Sequence, residues 1–186
     1  MELGSAQEKR LFLGIRPGPD TLVPCLSWSQ QLSAEGQIRW SSAEKLHVTV
    51  SFFGETPVER LPNLISMLQV ASARMPAFGL TFHEYCWAPP GHPPRMIWAR
   101  FEKNEAFLQT VRRFSELYRQ IDPSRQDRFS PLPHITLARI SEMSAWPELP
   151  QTPRPADIEV RELVLWESKN ESEGHVYTEI ARFTLK

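Results

Sequence analysis

Two short stretches carry the residue types best suited to chemistry. His47-Val48-Thr49-Val50 and His134-Ile135-Thr136-Leu137 share the order His, apolar, Thr, apolar, and they stand nearly half the chain apart. In a β-strand, residues i and i+2 point to the same side. Each His therefore shares a face with its Thr, while Val48/Val50 and Ile135/Leu137 point the other way, into a core. Two facing strands of this kind place two imidazoles and two hydroxyls around one space. Histidine titrates near neutral pH, so one copy can accept a proton while the other donates one. Threonine hydroxyls can hydrogen-bond non-bridging phosphate oxygens, where charge sits in the transition state. The array suits an in-line displacement at phosphorus, with a base on the attacking side and an acid on the leaving side. No HExxH pattern, paired cysteine or neighbouring carboxylate accompanies either His, so no metal site is expected.

The remaining composition narrows the field. The chain has 186 residues, with 21 basic and 22 acidic side chains and a formal net charge of -1. A protein that coats long nucleic acid would show a basic excess. The balance leaves room for a small cationic cleft holding one or two phosphates. Cys25 and Cys86 form no CxxC unit, which argues against a disulfide framework or a cysteine-based zinc site. No apolar run has the length of a membrane span, and Met1 to Arg10 lacks the apolar stretch of a signal peptide. The expected compartment is the cytoplasm, the expected state a monomer, with no cofactor and no obligate protein partner. His83, His92 and His175 match neither motif, and loop or surface roles are expected for them.

These motifs need strands to hold them. Arg10–Ile15 reads as a strand with Leu11, Leu13 and Ile15 on one face and Phe12 on the other. Leu46–Phe53 reads as a strand whose core face is Leu46, Val48, Val50 and Phe52, with His47, Thr49, Ser51 and Phe53 opposite. Residues 20–33 read as a helix. A second helix follows a T-P-V-E capping box at Thr56, Pro57 and Glu59. Ala77–Trp87 and Arg95–Phe101 read as strands joined by a proline-rich loop. Asn104 caps a helix carrying Phe107, Val111, Phe114, Tyr118 and Ile121 on one side. Pro133–Arg139, Asp157–Ser168 and His175–Leu185 complete the strands, the last two joined by a polar turn. Interleaved strands and helices make the class α+β, and no domain boundary stands out within residues 1–186.

The motif pair in its strand context resembles the two-histidine phosphoesterase superfamily. The segments RLFLGI, KLHVTVSFFGE, RMIWARF, PLPHITLAR and SKNESEGHVYTEIARF resemble more narrowly the bacterial RNA 2′,3′-cyclic phosphodiesterases, also called 2′-5′ RNA ligases. The resemblance implies a single bilobal domain, with two antiparallel sheets and flanking helices in a pseudo-two-fold arrangement about a central cleft. It also implies a metal-independent reaction on RNA ends or small cyclic nucleotides. Water attacks the cyclic phosphate, the 3′-oxygen leaves, and a 2′-phosphomonoester remains. Carried over, His47 is the proton donor and His134 the proton acceptor, with Thr49 and Thr136 as phosphate ligands. Arg139 is a third expected phosphate ligand, although regular strand alternation would put it on the face opposite His134 unless a strand end or bulge intervenes. Phe12, Arg95 and Tyr177 are nucleotide-binding candidates, Phe12 by stacking a base. Two other functions fit the same residues: a ligase joining a cyclic phosphate end to a 5′-hydroxyl, and a nucleotide-binding protein without turnover.

Overall fold

The protein is described by a computed structural model over residues 7–32, 38–90, 93–123, 132–141, 146–171 and 174–186. His92 and the tip of the final predicted turn lie outside these residues. The strands are β1 (Glu8–Ile15), β2 (Ile38–Trp40), β3 (Val48–Pro57), β4 (Phe78–Leu80), β5 (Phe82–Ala88), β6 (Met96–Phe101), β7 (His134–Ile140), β8 (Ile158–Val160), β9 (Glu162–Glu171) and β10 (Gly174–Thr184). The helices are α1 (Pro19–Ser29), α2 (Leu61–Ser72) and α3 (Glu105–Ile121). They form an α+β fold with two antiparallel sheets. The larger sheet runs β10-β9-β1-β3-β7-β6-β5, with β2 added beside β7, and the smaller one is β4-β8.

The larger sheet is almost divided in two. Strands β3 and β7 carry the two motifs and meet at a single residue pair, Val48 opposite Ile135. Beyond it β7 pairs instead with β2, from Ala138 to Ile140.

One side of the sheet carries the main core, in which Leu11, Leu13, Val48, Val50, Ile135 and Leu137 pack with Leu64 and Leu68 of α2 and Phe107 and Phe114 of α3. Burying such side chains supplies roughly 1.5–3 kcal/mol each, which fixes the strands whose other face carries the motifs. The helix α3 begins as expected, with the Asn104 side chain accepting a hydrogen bond from the Phe107 N–H at 2.9 Å. Among the described residues no helix is long and apolar enough to cross a membrane.

The capping box at Thr56 does not form. Strand β3 continues to Pro57, a short 3-10 turn spans Val58–Arg60, and α2 starts only at Leu61 with Pro62 in its first turn. The Thr56 hydroxyl is engaged in the core instead, 2.9 Å from the Tyr118 hydroxyl. A proline is best accommodated in a helix's first turn, and Pro62 rather than Pro57 takes that place.

Candidate active site

Both motifs carry the same irregularity. On β3, Thr49 lies opposite Gly14 and Ser51 opposite Leu13, so Val50 is an extra residue. On β7, Thr136 lies opposite Trp98 and Ala138 opposite Ile97, so Leu137 is extra. The last residue of each His-apolar-Thr-apolar unit is thus a β-bulge, and each bulge reverses the facing of the residues after it. Two expectations change in consequence. Phe53 is in the core and Phe52 is exposed, the reverse of regular alternation. Arg139, which unbroken alternation would turn away, lies on the face of His134 and Thr136.

The Val48–Ile135 pair sets the centre of the site. Antiparallel partners project to the same face. One step to either side of that pair, the register places His47 beside Thr136 and Thr49 beside His134. Val48 and Ile135 are fully buried, whereas the two histidines and two threonines are half-buried on the opposite face. Four residues from two distant segments are therefore gathered where the two halves of the sheet join.

The two imidazoles are held alike. Nδ1 of His47 lies 2.7 Å from the Lys45 carbonyl oxygen, and Nδ1 of His134 lies 2.6 Å from that of Leu132. A carbonyl only accepts, so each Nδ1 carries the proton and donates it. In the neutral ring the lone pair is then on Nε2; in the charged ring Nε2–H is a donor. Either His can serve as acid or base at Nε2.

Their surroundings differ. His134 stacks on Trp98 at 3.7 Å between centroids and 16° between planes. His47 is ringed by Phe12 at 4.8 Å, Tyr177 at 5.4 Å and Trp166 at 5.8 Å. Burial pushes the His134 pKa down to about 4, against the pull of the Leu132 carbonyl and with His47 nearby lowering it further. Burial also lowers the His47 pKa, opposed by the Lys45 carbonyl. With no anion bound, burial thus favours the neutral form of each ring.

The other expected residues are distributed unevenly. Phe12 is on the site face but only 3% exposed, packed beneath His47 and against Trp166 and Tyr177. Tyr177 is half-buried, edge-on to His47. Arg139 is exposed, with Nη1 3.8 Å from the Met96 sulfur. Arg95 is exposed just before β6, where its backbone accepts from the Ile140 N–H; no described contact joins its side chain to either His. His83 is exposed on β5. His175 lies within β10 rather than in a loop, 3.3 Å from the Ser168 hydroxyl.

Three residues that sequence reasoning passed over support the histidines. Trp98 and Trp166 provide ring surfaces, and Gly14 lets the Trp166 ring approach. A Cβ at Gly14 would lie 2.7 Å from the Val48 carbonyl oxygen and 3.1 Å from Cζ3 of Trp166. Trp98 was within reach of the sequence, since it sits inside RMIWARF, but only the register with Thr136 identifies it.

Comparisons with known proteins agree with the fold. Residues 20–98 match the family described as LigT like Phosphoesterase. The structure of TT0787 from Thermus thermophilus superposes with a TM-score of 0.81 at 23% identity, covering 95% of this chain and 97% of that one. E. coli LigT in complex with NADP+ gives a TM-score of 0.80 at 22% identity, covering 96% and 99%. A structure described only as a phosphoesterase gives 0.82 at 22% identity, covering 96% and 99%. No curated protein matches the sequence.

Proposed function

We propose that this chain is a two-histidine phosphoesterase of the LigT-like kind and that it opens 2′,3′-cyclic phosphates at RNA ends, leaving a 2′-phosphomonoester. The observation that carries the reading is the pair of imidazoles with Nδ1 committed to a carbonyl and Nε2 left for chemistry, each beside the other motif's threonine. His134 Nε2 takes a proton from water as the water oxygen attacks phosphorus. The P–O3′ bond breaks, and His47 Nε2–H protonates the departing O3′. Thr49 and Thr136 donate to the non-bridging oxygens, where charge accumulates. Arg139 adds a guanidinium to the same face, now that the Leu137 bulge turns it there. E. coli LigT has been crystallised with 3'-AMP, ATP and phosphate, which supports a nucleotide phosphate as ligand here.

The cycle needs one neutral and one charged imidazole. The bound phosphate carries a negative charge, which favours the imidazolium form. In the free enzyme, kcat/KM is expected to rise as pH climbs through about 4 and to fall again below the ordinary histidine value of 6.5. Its maximum should therefore lie on the acid side of 6.5, with the kcat maximum higher because the complex holds the anion. A pH profile with maximal kcat/KM above 7 would contradict this. Stability follows the same sign: between about 4 and 6.5 the unfolded chain binds more protons than the folded one, so stability falls as pH drops through that window.

The same residues run the transesterification backwards when a 5′-hydroxyl replaces water, which is the ligase reading. To separate the two, an RNA with a cyclic end is incubated with a 5′-hydroxyl fragment and the products are resolved by size. The hydrolase reading requires monoester ends with little lengthened RNA. Lengthened RNA as the main product would replace it with the ligase. Tight binding with no product would favour a non-catalytic protein.

A further inference from the structure

Arg139 is not the last cation on its row. In the register of β2 and β7 it lies directly opposite Arg39. The neighbours of Arg39, Ile38 and Trp40, pack on the main core, so Arg39 points to the other face, the one shared by Arg139, Thr136 and His134. Both arginines are exposed, and among the described residues no carboxylate pairs with either. Like charges directly opposite one another in a sheet are destabilising. More positive charge reaches the same rim: Arg10, Arg139 and Lys45 all act on His175, depressing its pKa after burial. In a chain with a net charge of -1, this concentration is local.

A repulsive arginine pair beside a phosphate-opening centre fits a ligand with a second anion. A nucleoside bearing a 2′,3′-cyclic phosphate has one other ribose position for phosphate, its 5′-oxygen. We propose that Arg39, lying beyond the Arg139 that faces the cyclic phosphate, provides a second phosphate subsite that takes this 5′-phosphate, so that the preferred substrate is an RNA strand or 5′-phosphorylated nucleotide rather than a lone cyclic nucleoside phosphate. This rests on the cyclic phosphodiesterase reading above. Arg39 carries the specificity, because it lies one strand farther than Arg139 from the Thr136 side chain.

Two pairs of probes test it. Rates are compared for adenosine 2′,3′-cyclic phosphate with and without a 5′-phosphate. Affinities are compared by calorimetry for the stable products, adenosine 2′-monophosphate and adenosine 2′,5′-bisphosphate. The wild type should favour the 5′-phosphorylated member of each pair by about tenfold, the scale of a charge-assisted phosphate contact. Arg39→Gln should bring both ratios close to one, Arg39→Lys should keep part of the preference, and neither should lower Tm in the absence of ligand, because a repulsion has been relieved or retained. Equal treatment of the two members by the wild type, or a preference that survives in Arg39→Gln, overturns the subsite. If neither cyclic compound is opened, the phosphodiesterase reading fails, and the calorimetric ratio still decides the subsite by itself.

Discussion

Alanine in place of His134 is expected to slow opening of a 2′,3′-cyclic phosphate by about 10²- to 10⁴-fold, the range for loss of a positioned acid–base catalyst. Alanine at His47 should cost a similar factor. Both variants should fold. Neither ring belongs to the main core, and the principal packing loss at His134 is its stack on Trp98, worth about 0.5–1.5 kcal/mol. The double variant should be little slower than either single one, because acid and base act as a unit. Rates in single-turnover assays, with near-ultraviolet circular dichroism as the check on folding, decide the matter. A variant that keeps near-normal turnover removes its His from the mechanism.

The second large effect is expected at a residue that touches no substrate. Gly14→Ala should lower the rate by about 10²-fold, the scale of a misplacement of roughly 1 Å at reacting groups. The added Cβ would meet the backbone carbonyl of Val48 at 2.7 Å, and Val48 lies between His47 and Thr49. A backbone atom cannot swing aside as a flexible side chain can, so β3 must move and carry both groups with it. Gly79→Ala is the control, since a Cβ there meets nothing within 4 Å, and its rate should stay close to wild type. If Gly14→Ala turned over like wild type, the close fit of β1, β3 and Trp166 would have no part in placing the catalytic pair.

What the sequence revealed and what it hid have physical reasons. Alternation within four residues was enough to put His47 with Thr49 and His134 with Thr136, because facing over so short a span needs no knowledge of partners. The Asn104 cap and the apolar side of α3 were legible for the same reason. The bulges were not. Val50 and Leu137 are apolar residues in apolar strands, and only the pairing with β1 and β6 shows that each is supernumerary. That one feature accounts for both the misplaced Phe52 and Phe53 and the apparent wrong facing of Arg139. The T-P-V-E signal at Thr56 failed because its hydroxyl has a competing partner, Tyr118, 62 residues later. Trp98 and Trp166 support the histidines through cross-strand neighbours, which no local pattern records. Arg39 escaped notice because an isolated exposed arginine says nothing until its opposite number is known.

The most direct test of the central claim is phosphorus NMR of an RNA oligonucleotide ending in a 2′,3′-cyclic phosphate, incubated with the protein and excess chelator. Conversion of the cyclic resonance to a 2′-phosphomonoester is the predicted result, with His134 and His47 supplying the proton transfers and O3′ departing. An untouched cyclic phosphate whose opening is restored by a divalent cation, or a 3′-phosphomonoester as product, would contradict the two-histidine account.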